Sequence, residues 1–438
     1  MIALNDHLEA PGRTTIAGVP EGHDAFLLAE AGAERLVLHV CRDDARLQAL
    51  SNAIGFFAPT LETLSLPAWD CLPYDRVSPN AEIVARRLAA LTRLADAPPE
   101  AGVVLTTVAA ILQRIPPREV FTDTMLTGKV GEPIAQEDFQ DYFVHNGYRR
   151  AATVREPGEY ALRGGIIDVY PPGVAEPFRL DFFGDELESV RAFDAMTQRS
   201  SEKLDGFVLG PVSEVMLDDD AVDWFREAYR RMFGPPAGND PLYEAISARR
   251  RHAGMEHWLA LFHERLETLF DYLPEAAVTL DHQADEASAA RHELIAEHYE
   301  ARREMLPKTQ RDAEREEVAI YKPTPPEMLY LAPDEWNECL ALRPIAAFHT
   351  FDAPETAGPV VDAGGRRVRD FAEARHRQDV NLFDVVRDRL AAETGRHILV
   401  FGHSAGSRDR LGGLLQEHGV TGAITVESWA EALERPAG

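Results

Sequence analysis

Three groups of residues in this chain of 438 residues have types and spacings that could do chemistry. Residues 402–406 read Gly-His-Ser-Ala-Gly, the G-x-S-x-G pattern that exposes a nucleophilic serine between a strand and a helix. Residues 18–26 form a glycine-containing loop after the first predicted strand, where backbone amides can hold phosphates. Arg163, Arg179 and Phe183 combine two cations with an aromatic ring, which suits binding to another protein. The candidate chemistries are therefore acyl transfer, nucleotide binding and protein docking.

Ser404 is the residue that the G-x-S-x-G pattern would make nucleophilic. Such a hydrolase also needs an acid and a histidine that follow the serine, on later strand ends. The candidates are Asp409 and His418, and both fall in or at the end of the next predicted helix. They cannot converge on Ser404 while that helix stays regular. We therefore expect a small turn-forming cluster here, and a serine hydrolase remains only an alternative.

The strand pattern around Phe183 predicts an exposed aromatic side chain. Residues 178–183 read Phe-Arg-Leu-Asp-Phe-Phe and precede a Gly-Asp hairpin turn. Strand alternation places Leu180 on one face, and Arg179 and Phe183 on the other. An aromatic ring beside an arginine on a polar face is typical of a docking surface. The alternative, in which Phe183 covers a neighbouring domain, stays open.

Composition limits the possible functions. The formal net charge is −28, whereas a domain that grips duplex DNA by itself normally has a basic surface. No apolar run approaches the length of a membrane span, so we expect no membrane contact. Three histidines at 252–263 do not share one helical face with an acid, and we expect no metal site. A reducing, cytoplasmic location is predicted by three widely separated cysteines, Cys41, Cys71 and Cys339.

Hydrophobic periodicity divides the chain into four segments. The first alternates strands and helices, with buried strands predicted over residues 35–40 and 102–107. Short strands dominate the second, whereas helices, a returning strand and a long charged helix form the third. The fourth is predicted as an α/β unit with a strand over residues 396–401 and a helix over 408–416. The expected domains are residues 1–123, 124–210, 211–330 and 331–438.

Two sequence runs connect the chain to a known family. Residues 156–168 and 178–186 closely resemble the UvrA-binding module that UvrB shares with the bacterial transcription-repair coupling factor. Residues 69–75, Trp-Asp-Cys-Leu-Pro-Tyr-Asp, are similar to the W-x-x-L-P-Y-D run of the coupling factors. The resemblance implies an α/β fold with a UvrB-like degenerate P-loop domain. That domain would be split by an inserted small α+β domain and followed by a further C-terminal α/β domain.

The resemblance aligns residues 18–26 with the phosphate-binding loop of UvrB-like and helicase proteins. A working loop needs glycines for close backbone approach, a lysine for the β- and γ-phosphates and a hydroxyl for magnesium. Here Asp24 stands at the lysine position and Ala25 at the hydroxyl position. A carboxylate would repel a triphosphate. The degenerate loop consists of Gly18, Glu21, Gly22, His23, Asp24 and Ala25.

A second motif departs from the family in the same way. The segment that resembles the acidic magnesium-binding and water-activating motif keeps Asp281 but has His282 where a glutamate is expected. Loss of both halves of the site predicts that this segment binds no nucleotide cofactor and hydrolyses no ATP.

The resemblance implies that Arg163, Arg179 and Phe183 contact UvrA. The implied role is recruitment of UvrA in transcription-coupled nucleotide-excision repair. Family members continue into an RNA-polymerase-interacting domain, an ATP-dependent DNA translocase motor and a C-terminal domain. We therefore expect a fragment that reaches RNA polymerase and DNA only through missing parts of the parent protein. A UvrB-type ATP-dependent repair helicase subunit is the second alternative, beside the serine hydrolase.

Overall fold

Two sheets organise the chain in its computed structural model. One is a seven-stranded parallel sheet, and the other is a six-stranded sheet that is antiparallel except at one edge. Within the described residues, no helix is both long and apolar enough to cross a membrane. The structure describes residues 2–122, 124–236, 240–306, 320–352, 358–367, 371, 381–393, 395–402 and 404–437.

The strands fall into an early group, a central group and a late group. They are β1 (Gly12–Ala17), β2 (Leu36–Cys41), β3 (Thr63–Leu66), β4 (Gly102–Thr107), β5 (Leu126–Lys129), β6 (Arg149–Arg150), β7 (Glu159–Arg163), β8 (Ile166–Val169), β9 (Phe178–Phe183), β10 (Glu186–Phe193), β11 (Ser200–Leu204), β12 (Gly206–Leu209), β13 (Ala277–Leu280), β14 (Pro344–Phe348) and β15 (Val360–Asp362).

The helices lie mainly between strands of the parallel sheet and after its long insertion. They are α1 (His23–Gly32), α2 (Asp44–Phe57), α3 (Ala81–Asp96), α4 (Val108–Ile111), α5 (Glu119–Thr122), α6 (Gln136–His145), α7 (Asp219–Phe233), α8 (Pro241–Ser247), α9 (Leu269–Tyr272), α10 (Ala284–Glu304), α11 (Pro326–Leu329), α12 (Pro333–Ala341), α13 (Leu382–Ala392), α14 (Ala405–Glu417) and α15 (Trp429–Glu434), with 3-10 helices at Leu4–His7 and Met255–Leu261.

The parallel sheet has the strand order β15-β1-β14-β13-β2-β4-β3. The strands predicted over residues 35–40 and 102–107 are confirmed as β2 and β4. Successive residues of a strand point to opposite faces of the sheet, and in these strands nearly all of them are buried. Helices therefore cover both faces of the sheet. In β2, Val37 joins the core beneath α1 and α2, while Leu38 joins the core beneath α3. Asn80 caps α3 by accepting the Glu82 N–H at 2.9 Å.

The second sheet has the order β11-β10-β9-β8-β7-β6, and β5 and β12 form a separate antiparallel pair. Its inner face packs against α6, where Phe139 and Phe143 meet the inward residues Leu180 and Phe182. This face buries the apolar side chains of alternate strand residues. The opposite face, called the outer face below, carries Arg179 and Phe183.

A buried ion pair links the part of the chain that forms the parallel sheet to the end of the segment that forms the second sheet. The Arg87 side chain on α3 donates from Nε to Glu214 Oε1 at 2.6 Å and from Nη2 to Glu214 Oε2 at 3.0 Å. Trp69 Nε1 also donates to Glu214, at 3.0 Å. Arg87 and Glu214 are both almost fully buried, so losing either side chain would leave an uncompensated charge. The pair therefore holds the end of the inserted segment against α3.

The structure corrects two expectations for the region after residue 331. First, β14 and β15 belong to the parallel sheet, so the expected boundary at 331 lies inside this sheet. Second, the strand predicted over residues 396–401 is wrong, since residues 395–402 contain no strand. Extended backbone forms a strand only where a neighbour supplies hydrogen bonds, and no described segment pairs with this one. The described residues after β15 contain α13, α14 and α15 but no strand, in contrast to the expected α/β domain.

Candidate protein-binding site

Phe183 is an exposed aromatic residue on a folded strand. Its side chain is 80% exposed, whereas Leu180 and Phe182 on the same strand are buried in the inner core. The predicted alternation along β9 is thus confirmed. The tight turn after β9 uses Gly184, whose φ of +65° suits glycine. Because Phe183 ends its strand at this turn, its ring projects from the tip of a hairpin.

A second hairpin tip lies directly beside the first. β7 and β8 are joined by a turn at Gly164 and Gly165, and the Phe182 N–H donates to the Gly165 carbonyl at 2.8 Å. Strand pairing places Arg163 opposite Ile166, and Ile166 opposite Asp181. Since paired residues share a face, these side chains and Phe183 all lie on the outer face.

Strand pairing therefore places Arg163 and Phe183 on the same face, at two neighbouring hairpin tips. Arg163 is exposed, and its guanidinium also donates to the Ala152 carbonyl. Ile166 belongs to the same patch and is 38% exposed, but sequence reasoning missed it. The signal was present: Ile166 precedes the inward residue Ile167 and so must face outward.

Arg179 lies on the same face but is already paired. Its Nε and Nη2 donate to Asp168 Oδ1 and Oδ2 at 2.7 and 2.9 Å, in a bidentate ion pair. Its guanidinium also lies 4.8 Å from the centre of the buried Phe193 ring. The Asp168 hydrogen bond raises the pKa of Arg179. With only 22% of the side chain exposed, Arg179 mainly stabilises β8 against β9 beneath the exposed patch.

The degenerate loop places a carboxylate where phosphates would bind. Asp24 Oδ1 accepts the backbone N–H groups of Gly22 and Ala25 at 2.8 and 2.7 Å. In a phosphate-binding loop, such N–H groups point at the ligand. Here both N–H groups donate to a side chain of the same loop instead of to a ligand.

Two arginine side chains, Arg42 and Arg46, lie beside the acidic residues of this loop and pair with them. Arg46 forms an ion pair with Asp24, and its Nε lies 3.7 Å from Asp281 Oδ1. These three side chains are at most 5% exposed. Arg42 bridges outward, with 3.2 Å to Asp281 and 2.8 Å to Glu21. The hydrogen bond from Arg42 lowers the pKa of Glu21. The acidic and basic side chains of the cluster thus pair with one another, although the buried Arg46 Nε makes no hydrogen bond within the described residues.

A later segment also covers the loop. A Cβ atom on Gly18 would lie 2.6 Å from Asp362 Oδ1, and one on Gly365 would lie 2.3 Å from His23 Nδ1. Asp362 is held in place by an ion pair with Arg366 at 2.7 Å. Residues 362–366 thus pack onto the side of the loop that includes Gly18.

His282 follows Asp281 and packs against another histidine. The ring centres of His282 and His349 are 4.8 Å apart. Burial, and secondarily the neighbouring His349, lower the pKa of His282. A neutral imidazole therefore occupies the position at which the resemblance expects a glutamate.

Ser404 has a structural role at the start of a helix. Its Oγ accepts the Ser407 N–H at 3.2 Å and caps α14. His418 lies beyond the other end of this 13-residue helix, about 20 Å away along its axis. His403 of the same motif lies outside the described residues. The arrangement explains the G-x-S-x-G pattern as a helix start.

The three histidines between residues 252 and 263 have separate environments. His252 Nδ1 lies 2.8 Å from the Ala253 carbonyl, while burial lowers the pKa of His257 and of His263 to about 4. Among the described residues, no group of three metal-ligating side chains could hold an ion.

Comparisons with known proteins add the family context. A protein-family model described as the UvrB interaction domain matches residues 126–214, which include both hairpin tips. The transcription-repair-coupling factor of Haemophilus influenzae is 32% identical over 350 residues, covering 78% of this chain and 28% of that protein. The factor of Escherichia coli is 31% identical over 391 residues, covering 89% and 32%. That of Myxococcus xanthus is 33% identical over 292 residues, covering 62% and 24%.

The chain spans about a third or less of the length of these curated relatives. The similarity extends well beyond the UvrB interaction domain and includes most of the parallel-sheet part. Over most of its length, the chain therefore belongs to the transcription-repair-coupling factor family and corresponds to the N-terminal region of these proteins.

Proposed function

We propose that this chain is the UvrA-docking segment of a transcription-repair coupling factor, acting in transcription-coupled nucleotide-excision repair. The observation that carries the proposal is Phe183, which is 80% exposed at a hairpin tip within the UvrB interaction domain. An aromatic side chain held away from its own core gains free energy only when a partner covers it.

The two hairpin tips supply complementary contacts in this proposal. Phe183 and Ile166 offer an apolar patch, and Arg163 offers guanidinium N–H groups at its edge. Arg179 acts as a positioning residue, because its ion pair with Asp168 already uses two of its donor nitrogens. The partner surface should thus present an apolar pocket beside a carboxylate.

The proposed segment works without ATP hydrolysis of its own. Support comes from Asp24, whose carboxylate occupies the loop amides, and from Arg46, which fills the adjacent volume. A phosphate-release assay on the purified chain should give only background turnover. Sustained hydrolysis that depends on Asp281 would instead favour a helicase subunit.

We also propose that contacts with RNA polymerase and DNA, and DNA translocation, belong to parts of the coupling factor outside these 438 residues. The net charge of −28 supports this division, because it disfavours autonomous binding of duplex DNA.

Calorimetric titration with purified UvrA tests the docking proposal. Phe183→Ala should weaken binding by at least about 30-fold, since a central aromatic contact is worth about 2–4 kcal/mol. Met196→Ala is the matched control, because Met196 is equally exposed (80%) but lies in the turn after β10. Its affinity should match the wild type. Equal affinity of the Phe183→Ala variant and the wild type would refute the assignment.

A further inference from the structure

Three cationic side chains form a row across the outer face. The pairing of β10 places Arg191 opposite Arg179 on one side and opposite Lys203 of β11 on the other. Directly paired residues have Cβ atoms about 5 Å apart and share a face, so like charges in these positions repel. We call Arg179, Arg191 and Lys203 the cationic row.

Among the described residues, a carboxylate forms an ion pair with only one member of this row. Asp168 pairs with Arg179, whereas Arg191 and Lys203 form no ion pair with any residue that the structure describes. The Arg191 Nε is buried, and none of the described residues forms a hydrogen bond with it. The neighbouring Asp181 accepts a hydrogen bond from Ser189 at 2.8 Å. Glu202 precedes Lys203 on β11 and by alternation points to the other face.

The row therefore costs stability within the folded chain, although the chain as a whole is strongly acidic. It lies beside the hairpin tips: Arg179 and Phe183 are four residues apart on β9, or about 13 Å. A standard protein interface covers about 800 Å² on each partner, so one footprint can include both features.

We infer that Arg191 and Lys203 bind an acidic segment of UvrA, next to the apolar pocket that receives Phe183. This inference rests on the proposed function and extends it to the chemistry of the partner. Two unpaired cations attract carboxylates during association and form charge-assisted hydrogen bonds in the complex. UvrA is favoured over nucleic acid because the row shares the outer face with the exposed Phe183 and the chain as a whole is acidic.

Charge-removing variants test the inference. Arg191→Gln and Lys203→Gln should each weaken UvrA binding by about 3- to 10-fold, mainly through slower association, and the double variant should weaken it further. The salt dependence of affinity should decrease in parallel. The melting temperature should stay the same or rise, because repulsion within the row is relieved. Arg150→Gln on β6 is the control, since Arg150 is exposed like Lys203 and the charge change is identical to that in Arg191→Gln.

The outcomes separate this inference from the docking proposal. If the double variant binds UvrA with unchanged affinity while Phe183→Ala binds it more weakly, only the inference about the cationic row is overturned. Unchanged affinity in both overturns the docking proposal as well. An equal loss for Arg150→Gln would show a non-specific charge effect and overturn the inference. A lowered melting temperature for Arg191→Gln, or binding of a DNA duplex that the double variant abolishes, would also overturn it.

Discussion

The buried cluster around Asp24 makes the sharpest prediction about the degenerate loop. Replacing Asp24 with alanine would leave Arg46 with a single carboxylate, Asp281, whose Oδ1 lies 3.7 Å from Arg46 Nε. It would also free the N–H groups of Gly22 and Ala25. Removing one partner of a buried ion pair costs about 3–5 kcal/mol, and the freed N–H groups add to this unless water enters. We expect a loss of about 3–5 kcal/mol in the unfolding free energy.

Hydrogen exchange of the β1 and β2 amides measures this loss in the parallel-sheet part directly. Asp24→Asn is the matched control, because its amide oxygen can still accept both N–H groups while the charge is removed. Asp24→Asn should lower the unfolding free energy by less than Asp24→Ala does. The double variant Asp24→Ala/Arg46→Met should cost less than the sum of the single variants, since the ion pair is then removed as a unit.

The same reasoning predicts a gained anion site. In Asp24→Ala, the two freed N–H groups and Arg46 should bind inorganic phosphate or sulfate, which should stabilise the variant more than the wild type. A cost below about 1 kcal/mol, within the range of surface substitutions, would refute the view that Asp24 replaces a phosphate. Additive effects of the single variants would refute it equally.

Two further predictions concern a buried histidine and the helix cap. Burial lowers the pKa of His39 from 6.5 to about 4, so unfolding takes up a proton between these values. The contribution of His39 to stability is therefore complete above about pH 6.5 and should fall by about 2 kcal/mol between pH 7 and pH 5, in addition to falls from the buried His257 and His263. Urea titrations should show a smaller fall for His39→Asn, whose amide does not titrate in this range but keeps a hydrogen-bonding group towards Thr279. An identical pH slope would contradict the cause. Ser404→Ala should destabilise α14 by about 1 kcal/mol, seen as faster amide exchange in that helix. Neither this variant nor the wild type should react with a fluorophosphonate probe, and labelling at Ser404 would contradict the capping role.

Local sequence determined much of the secondary structure. The apolar runs at residues 35–40 and 102–107 became β2 and β4, and Asn80 began α3, because periodicity and capping are short-range signals. The outward position of Phe183 followed from strand alternation in the same way. Residues 396–401 have a similar apolar pattern but form no strand, because a strand also requires a partner that the local sequence does not specify.

Tertiary structure alone decided what the charged residues do. The sequence marked Asp24 as unsuitable for phosphate, yet only the fold shows that Arg46, 22 residues later, neutralises it. Arg179 looked equivalent to Arg163 in sequence, but strand register pairs Arg179 with Asp168 and leaves Arg163 exposed. Periodicity specifies which face a side chain takes. Its neighbours across strands depend on register and long-range packing, and these neighbours determine whether a charge is available to a partner.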